Sequence, residues 1–350
     1  MQIKRHDDDN SEEVVAVPCV KRKCDQQQQP ARRSKVRRKV LPFTSPRTKL
    51  ACPRSMVGVR RSDGVVNNVA PTHSVMKDDT KKVILIWDLD ETLLLFSSLC
   101  TGQFAHLTGK SSAASVALGE SMMCFVFTIL EKYLFFDDVE KDTVGHVSHM
   151  AHYDDGRSLQ QYDFAGDAIA HEPDGSLSKL RKQAYRYRRI RQIYERTEQV
   201  PFLTDGTTEA SFCVELRDSI DAFGDGWGHA AQRALQAATT AGCINILVTN
   251  SQLVPALCKC LIYDLDPWFS PDAIYSSSHI RKKQCFDTIR NTYGHNHTYI
   301  GLGDGPEEQR ASVDCGMSFV QIKRRDDLVR VAERLEQATA TGLSLHTLVL

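Results

Sequence analysis

The string Val83-Ile84-Leu85-Ile86-Trp87, running straight into Asp88-Leu89-Asp90-Glu91-Thr92, constrains this chain more than any other feature. Five consecutive apolar residues leave no face for water, so the run reads as a strand buried on both sides of a sheet. The acids that end it then mark the carboxyl edge, where open α/β sheets bind ligands. Strands repeat every two residues, so Asp88 and Asp90 can leave the sheet toward the same side. Two carboxylates there repel each other unless a cation lies between them. Oxygen ligands favour Mg²⁺, which keeps several waters and accepts a substrate phosphate. The plainer alternative is a solvated acidic turn with Thr92 capping a helix.

Further strands are expected at Ile244–Val248 ending in Thr249, at Ala273–Ser276, at Thr298–Leu302 ending in Gly303-Asp304-Gly305, and at Phe319–Ile322. Helical patterns fill the gaps, over Leu253–Ile262, Lys282–Tyr293, Glu307–Cys315 and Asp326–Ala340. Alternation of this kind implies parallel pairing through right-handed crossovers. About 140 residues separate the first two strands, far more than a crossover needs.

This insertion reads as helical, over about 106–243. Leu180, Ala184, Tyr187, Ile190 and Tyr194 recur at spacings of three and four, a helix stripe. Arg181, Lys182, Arg186, Arg188, Arg189, Arg191 and Arg196 occupy its other faces. They read as solvated charges outside a packed cap helix; the alternative turns some toward the active site to receive an acidic substrate. The stretches around Asp137, Asp138 and around Asp154, Asp155 read as loop.

The formal net charge of zero hides two opposed halves. Residues 1–80 carry 17 Lys/Arg and 9 Asp/Glu, whereas 81–350 carry 27 and 35. Between Lys21 and Arg61 there are 14 basic residues and one acid, Asp25, with a glutamine run and no amphipathic period. Such a segment buries too little apolar surface to offset its ordering entropy, so a disordered basic arm is expected over 1–80. Its clusters at Lys21–Lys23 and Arg32–Lys39 match a two-part nuclear import signal, or else form a solubilising tail. No sequence-specific nucleic-acid binding is expected of it, only salt-sensitive attraction. The eleven cysteines include no Cys-x-x-Cys pair, which suits reduced thiols rather than a disulfide framework. The start of the chain lacks a signal-peptide pattern. The apolar run around Met122–Leu130 is too short for a membrane span, so no membrane association is expected.

Three later strand ends carry phosphate chemistry. Thr249 offers a hydroxyl, or caps the next helix. Lys282 offers a compact cation, or is one surface lysine among Arg281-Lys282-Lys283. Asp304 follows a glycine that lets the backbone approach a ligand, with Glu307 and Glu308 opening the next helix, where acids also suit the dipole.

The order Asp-x-Asp-x-Thr, Thr, Lys, Gly-Asp-Gly resembles that of the haloacid dehalogenase superfamily. More narrowly, the chain is similar to the eyes absent family of protein tyrosine phosphatases. The matching strings are Ile86-Trp87-Asp88-Leu89-Asp90-Glu91-Thr92, Leu99-Cys100-Thr101-Gly102-Gln103-Phe104-Ala105, Ala184-Tyr185-Arg186-Tyr187-Arg188-Arg189-Ile190, Asn245-Ile246-Leu247-Val248-Thr249, Gln252-Leu253-Val254-Pro255-Ala256-Leu257 and Gly303-Asp304-Gly305-Pro306-Glu307-Glu308. Asn250-Ser251 departs from the family's usual threonine pair, and His279 stands where a second lysine is common. The resemblance implies a Rossmann-like parallel sheet with a large helical cap insertion after the first strand.

The resemblance also implies roles. Asp88 would be the nucleophile that forms an aspartyl-phosphate, and Asp90 the general acid and then base. Thr249 and Lys282 would hold phosphoryl oxygens, and Asp88, the Asp90 carbonyl and Asp304 would hold Mg²⁺. The substrate would be a phosphotyrosine protein, the partners DNA-binding transcription factors, and the location nucleus and cytoplasm. Two alternatives stay open: a phosphatase of small metabolites, since one fold hosts many functions, and a mainly non-enzymatic transcriptional cofactor. The animal family's long transactivation segment has no counterpart in the 80 residues before the domain, which counts against a coactivator role.

Overall fold

A computed structural model describes residues 81–341. The basic arm expected over 1–80 and the end of the domain, 342–350, lie outside the described residues. Five strands form one sheet: β1 Val83–Trp87, β2 Ile244–Thr249, β3 Ile274–Ser276, β4 Thr298–Gly303 and β5 Ser318–Gln321. Their order is β3-β2-β1-β4-β5 and every pairing is parallel. β1 is therefore central, with Trp87 opposite Leu247 of β2 and Leu302 of β4. All five β1 residues are buried, as their unbroken apolar character requires.

The two faces of the sheet enter different cores. Ile84, Ile86, Ile246 and Val248 pack with Phe286 and Ile289 of α9 (Lys282–Tyr293) and Ala311 of α10 (Pro306–Asp314). Leu85, Trp87, Leu247 and Leu302 face the opposite layer, which holds α8 (Leu253–Ile262) and α11 (Arg325–Thr341). Helices from the segment between β1 and β2 join this second core. They are α1 (Ser97–Cys100), α2 (Gln103–Thr108), α3 (Ser112–Tyr133), α4 (Phe136–Val139), α5 (Leu177–Tyr194), α6 (Thr208–Phe223) and α7 (Trp227–Thr240). The insertion thus shares the sheet's own apolar core, with Met122, Ile129, Ile190, Leu216 and Leu235 in one continuous cluster with Trp87. Trp87 also donates its indole N–H to Asn245 Oδ1 at 2.9 Å, which satisfies the polar tip of a fully buried ring.

Three details differ from the sequence reading. Asp137 and Asp138 lie in the short helix α4 rather than a loop, whereas Asp154 and Asp155 lie in a loop as read, just after a 3₁₀ segment over Val147–Tyr153. Among the described residues α3, at 22 residues, is long and apolar enough by length and composition to cross a membrane. In the fold its Met122, Phe125, Val126, Ile129 and Leu130 are core residues. Arg186, placed among the solvated charges, is fully buried. Its guanidinium pairs with Asp138, donates to the carbonyls of Phe164 and Asp167 at 3.1 Å, and lies between the Phe135 and Phe164 rings. This satisfies the donors of a buried cation, the condition for placing one inside.

Other cations of α5, and Arg196 just beyond its end, tie down surface loops. Lys182 binds Asp167 and Glu172, Arg188 binds Asp154, Arg189 binds Glu198, Arg191 binds Asp272, and Arg196 binds Asp266. The structure thus favours the scaffold reading of this helix over substrate capture.

Candidate active site

The site forms where β1 ends beside β4. Asp88 follows β1 directly, and its amide donates to the Leu302 carbonyl at 2.8 Å, extending the ladder by one bond. The chain then turns sharply. Leu93 and Leu94 amides both return to the Leu89 carbonyl, at 2.9 and 3.2 Å. Glu91 at the apex has φ 62°, the left-handed region that is unfavourable for a residue with a Cβ. Its carboxylate offsets that strain by accepting from the Phe96 and Ser98 amides at 3.2 and 3.0 Å, capping α1. Thr92 does not cap a helix. It is buried, and its hydroxyl donates to Asp88 Oδ2 at 3.3 Å, which orients the carboxylate.

Lys282 supplies the cation. It is the first residue of α9 yet almost fully buried, so it is not a surface lysine. Its Nζ lies 2.6 Å from Asp88 Oδ1 and also pairs with Glu308 Oε1. Burial pulls this ammonium toward the neutral form, but Asp88 and Glu308 outweigh it and the proton is held more tightly than in a free lysine. Burial raises the Asp88 carboxyl to about 7, with Lys282 opposing the rise and Glu308 adding to it.

β4 delivers the second half of the site. Asp304 follows it and is half-buried; burial, and then the charge of Glu308, raise its carboxyl above the usual range. Gly303 is required here by close approach. A Cβ would stand 2.7 Å from Glu308 Cγ and 3.4 Å from Asp88 Cβ. Glu308, undecided from sequence, is buried against Lys282, and its Oε2 has no hydrogen-bond partner. Among the described residues no cluster of three or more His, Cys, Asp or Glu side chains forms a ready metal cage. The donors present are all carboxylate oxygens, with an unsatisfied buried one among them, beside a single shared cation. That set fits a small hard cation held by one or two carboxylates plus backbone and solvent oxygens, the mode in which Mg²⁺ binds.

Thr249 closes β2 at the same edge and is buried. Its Oγ1 accepts from the Ser251 amide at 3.1 Å, whereas α8 begins after Gln252 with no side-chain cap. Asn250 bridges the rim: its Nδ2 donates to Glu307 Oε2 at 2.9 Å and its Oδ1 accepts from Ser277 at 2.6 Å. His279 lies exposed in the loop before α9. Asp90 points away from Asp88's partners. Its Oδ1 accepts from Lys259 at 2.6 Å and its Oδ2 from Ser251 at 2.9 Å. Sequence reasoning missed Lys259 altogether, although one charge inside Leu253-Val254-Pro255-Ala256-Leu257-Cys258-Lys259-Cys260-Leu261-Ile262 is itself a signal.

No family model matches the chain. Relatives of known name do. Over 265 residues the chain is 34% identical to human "Protein phosphatase EYA1", an alignment covering 72% of this chain and 45% of that protein. It is 31% identical over 262 residues to Drosophila melanogaster "Protein phosphatase eya". With Arabidopsis thaliana "Protein phosphatase EYA" it shares 30% identity over 271 residues, covering 73% of this chain and 87% of the plant protein. The chain belongs to the eyes absent family. It spans about half the length of the human family members or less, and about a third of the fly one. In this eyes absent chain the Asp88–Lys282–Glu308 cluster is assembled from β1, α9 and α10, elements separated by up to 220 positions in sequence. The all-parallel α/β sheet agrees with the Rossmann-like architecture that the family resemblance implies.

Proposed function

We propose that this eyes absent chain is a Mg²⁺-dependent phosphatase that hydrolyses phosphotyrosine in proteins through a phosphate ester of Asp88. The observation that carries this reading is the buried Asp88 carboxylate at the end of the central strand, held by Lys282 at 2.6 Å and by Thr92. A buried carboxylate fixed by two donors is a pre-oriented nucleophile. Names of relatives from animals and a plant support the phosphatase class.

In the first step an Asp88 oxygen attacks phosphorus, the ester P–O bond breaks, and the phenol oxygen leaves with the electron pair and takes a proton from Asp90. Lys282 and the Thr249 hydroxyl are the side chains available to the phosphoryl oxygens, stabilising charge that grows in the transition state. In the second step water attacks the same phosphorus, Asp90 accepts its proton, and the Asp88–phosphate bond breaks. When bound to Asp88, the Asp90 carbonyl and Asp304, Mg²⁺ supplies charge neutralisation for the transferring group. Glu308 shares the Lys282 ammonium with Asp88 and so helps hold it at the site.

Activity on phosphotyrosine peptides, phosphoserine peptides and small phosphate esters, with and without Mg²⁺, tests this reading. Preference for the phosphotyrosine peptide supports it, and turnover confined to metabolite esters contradicts it. We also propose nuclear as well as cytoplasmic location, directed by the basic clusters of residues 1–80, and association with DNA-binding transcription factors. A fluorescent fusion lacking residues 1–80 that still concentrates in nuclei would refute the targeting role. Failure of the full chain to co-purify with any DNA-binding factor would refute the association.

A further inference from the structure

A groove opens at the same edge of the sheet, between α2, the start of α7 and the loop that joins β5 to α11. Its floor is aromatic: Phe104 and Trp227 meet edge to face with ring centroids 6.3 Å apart. One helical turn beyond Phe104, Leu107 stands with 75% of its surface exposed, so the apolar lining runs from the floor out to the rim. The loop supplies the charge. Each acid on the groove wall already has a cation: Asp225 has Lys110 at 2.7 Å, Asp326 has Arg325 at 2.9 Å, and Asp327 has Arg330. Lys323 and Arg324 are exposed beside them, and their side chains have no acidic partner among the described residues. Their backbone amides both donate to Asp327 Oδ2 at 2.8 Å, which fixes the loop. Two contacts join the groove to the active site. Trp227 donates its indole N–H to the Thr92 carbonyl at 3.1 Å, and Thr92 in turn holds Asp88. Gln321, on the groove wall, donates to the Asp304 carbonyl at 3.3 Å.

We propose that this groove binds the residues flanking the phosphotyrosine of a protein substrate, taking an acidic side chain on Lys323 and Arg324 and an apolar one against Leu107. The proposal deepens the phosphatase reading and rests on it. A phosphotyrosine at Asp88 carries its peptide out over the carboxyl edge, and the groove begins one residue from Asp88 and in contact with Asp304. An extended peptide advances about 3.3 Å per residue, so the next few residues on one side of the phosphotyrosine can lie in it. The lining then selects among peptides. Two unpaired cations attract an acid and repel lysine or arginine. An apolar side chain laid on Leu107 removes both surfaces from water. Small phosphate esters end before the groove and gain nothing from it. Charge at a rim acts chiefly on encounter, so the selectivity is expected in kcat/KM rather than in kcat.

The test compares phosphotyrosine peptides of one length, flanked by Glu and Leu, by Gly and Ser or by Lys and Ser, with phenyl phosphate, on the full chain at saturating Mg²⁺. The wild type is expected to favour the Glu–Leu peptide over the Lys–Ser peptide by at least about 5-fold in kcat/KM, the most that one exposed ion pair supplies. High salt is expected to remove most of that preference. Lys323→Glu combined with Arg324→Glu is expected to invert it, Lys323→Arg to keep it, and Leu107→Ser to cancel the part that leucine adds. Both cations are exposed and acids there suit the α11 dipole, so the reversed chain is expected to fold. Equal kcat/KM on all peptides, or a reversal that lowers peptides and phenyl phosphate alike, would overturn the groove and leave the phosphatase reading standing. A reversal that changes no peptide's turnover but alters sedimentation of the chain would give the groove to a second copy and overturn the proposal as well. A wild type that hydrolyses no phosphotyrosine peptide refutes the phosphatase reading itself, and the groove with it.

Discussion

Lys282 Nζ lies 2.6 Å from Asp88 Oδ1 although 194 positions separate the two residues. Both are buried, and Glu308 shares the same ammonium. The fold thus concentrates two carboxylates on one cation at the carboxyl edge of its central strand. Removing the cation leaves two acids in a place that tolerates neither as an isolated charge.

Lys282→Met is expected to lower unfolding free energy by about 3–5 kcal/mol in metal-free buffer, the usual cost of breaking a buried ion pair from one side. Urea denaturation followed by tryptophan fluorescence reads this directly. A loss below about 1 kcal/mol would mean that Asp88 and Glu308 do not rely on Lys282.

Gly303→Ala is expected to reduce kcat by about 10²-fold with the fold intact. The added Cβ meets Glu308 Cγ at 2.7 Å, so Glu308 must shift and with it the Lys282 ammonium that it shares with Asp88. Displacements of about 1 Å in a catalytic group carry penalties of that size. An unchanged kcat alongside an unchanged circular dichroism spectrum would contradict the packing described for this turn.

Alkylation of the thiols is expected to spare turnover, and EDTA to abolish it. The eight described cysteines are unpaired. Burial pushes Cys213, Cys243, Cys285 and Cys315 up to about 11 and Cys258 and Cys260 still higher, so these six carry little thiolate at neutral pH. No cysteine touches Asp88 or Lys282 among the described contacts. Iodoacetamide inactivation that substrate prevents would point to a cysteine mechanism instead.

The sheet was legible because each strand is a short apolar run closed by a chemically distinctive residue. Val83–Trp87, Leu253–Ile262 and Lys282–Tyr293 appear in the structure with the bounds that the sequence suggests. The order of Asp88, Thr249, Lys282 and Asp304 along the chain could likewise be read, since parallel strands deliver their ends to one edge. What sequence did not reveal are the pairings across the fold. Lys259 reaches Asp90 over 169 positions, and Arg186 reaches Asp138 over 48, with nothing local to announce either. The arginines of α5 likewise look like a solvated or substrate-binding face until their acidic partners in neighbouring loops are placed. Asp137 and Asp138 read as loop from sequence although they open helix α4, because acids at a helix start and acids in a loop share one composition.

Rapid-quench trapping of the phosphorylated enzyme tests the central claim most directly. With a ³²P-labelled aryl phosphate, Asp90→Asn is expected to accumulate label on Asp88 in a burst, because the amide cannot accept the proton of the attacking water. Asp88→Asn is expected to show neither label nor turnover on any substrate, since a carboxamide cannot form the acyl-phosphate. Label recovered on another residue, or steady turnover by Asp88→Asn, would contradict the assignment of Asp88 as nucleophile.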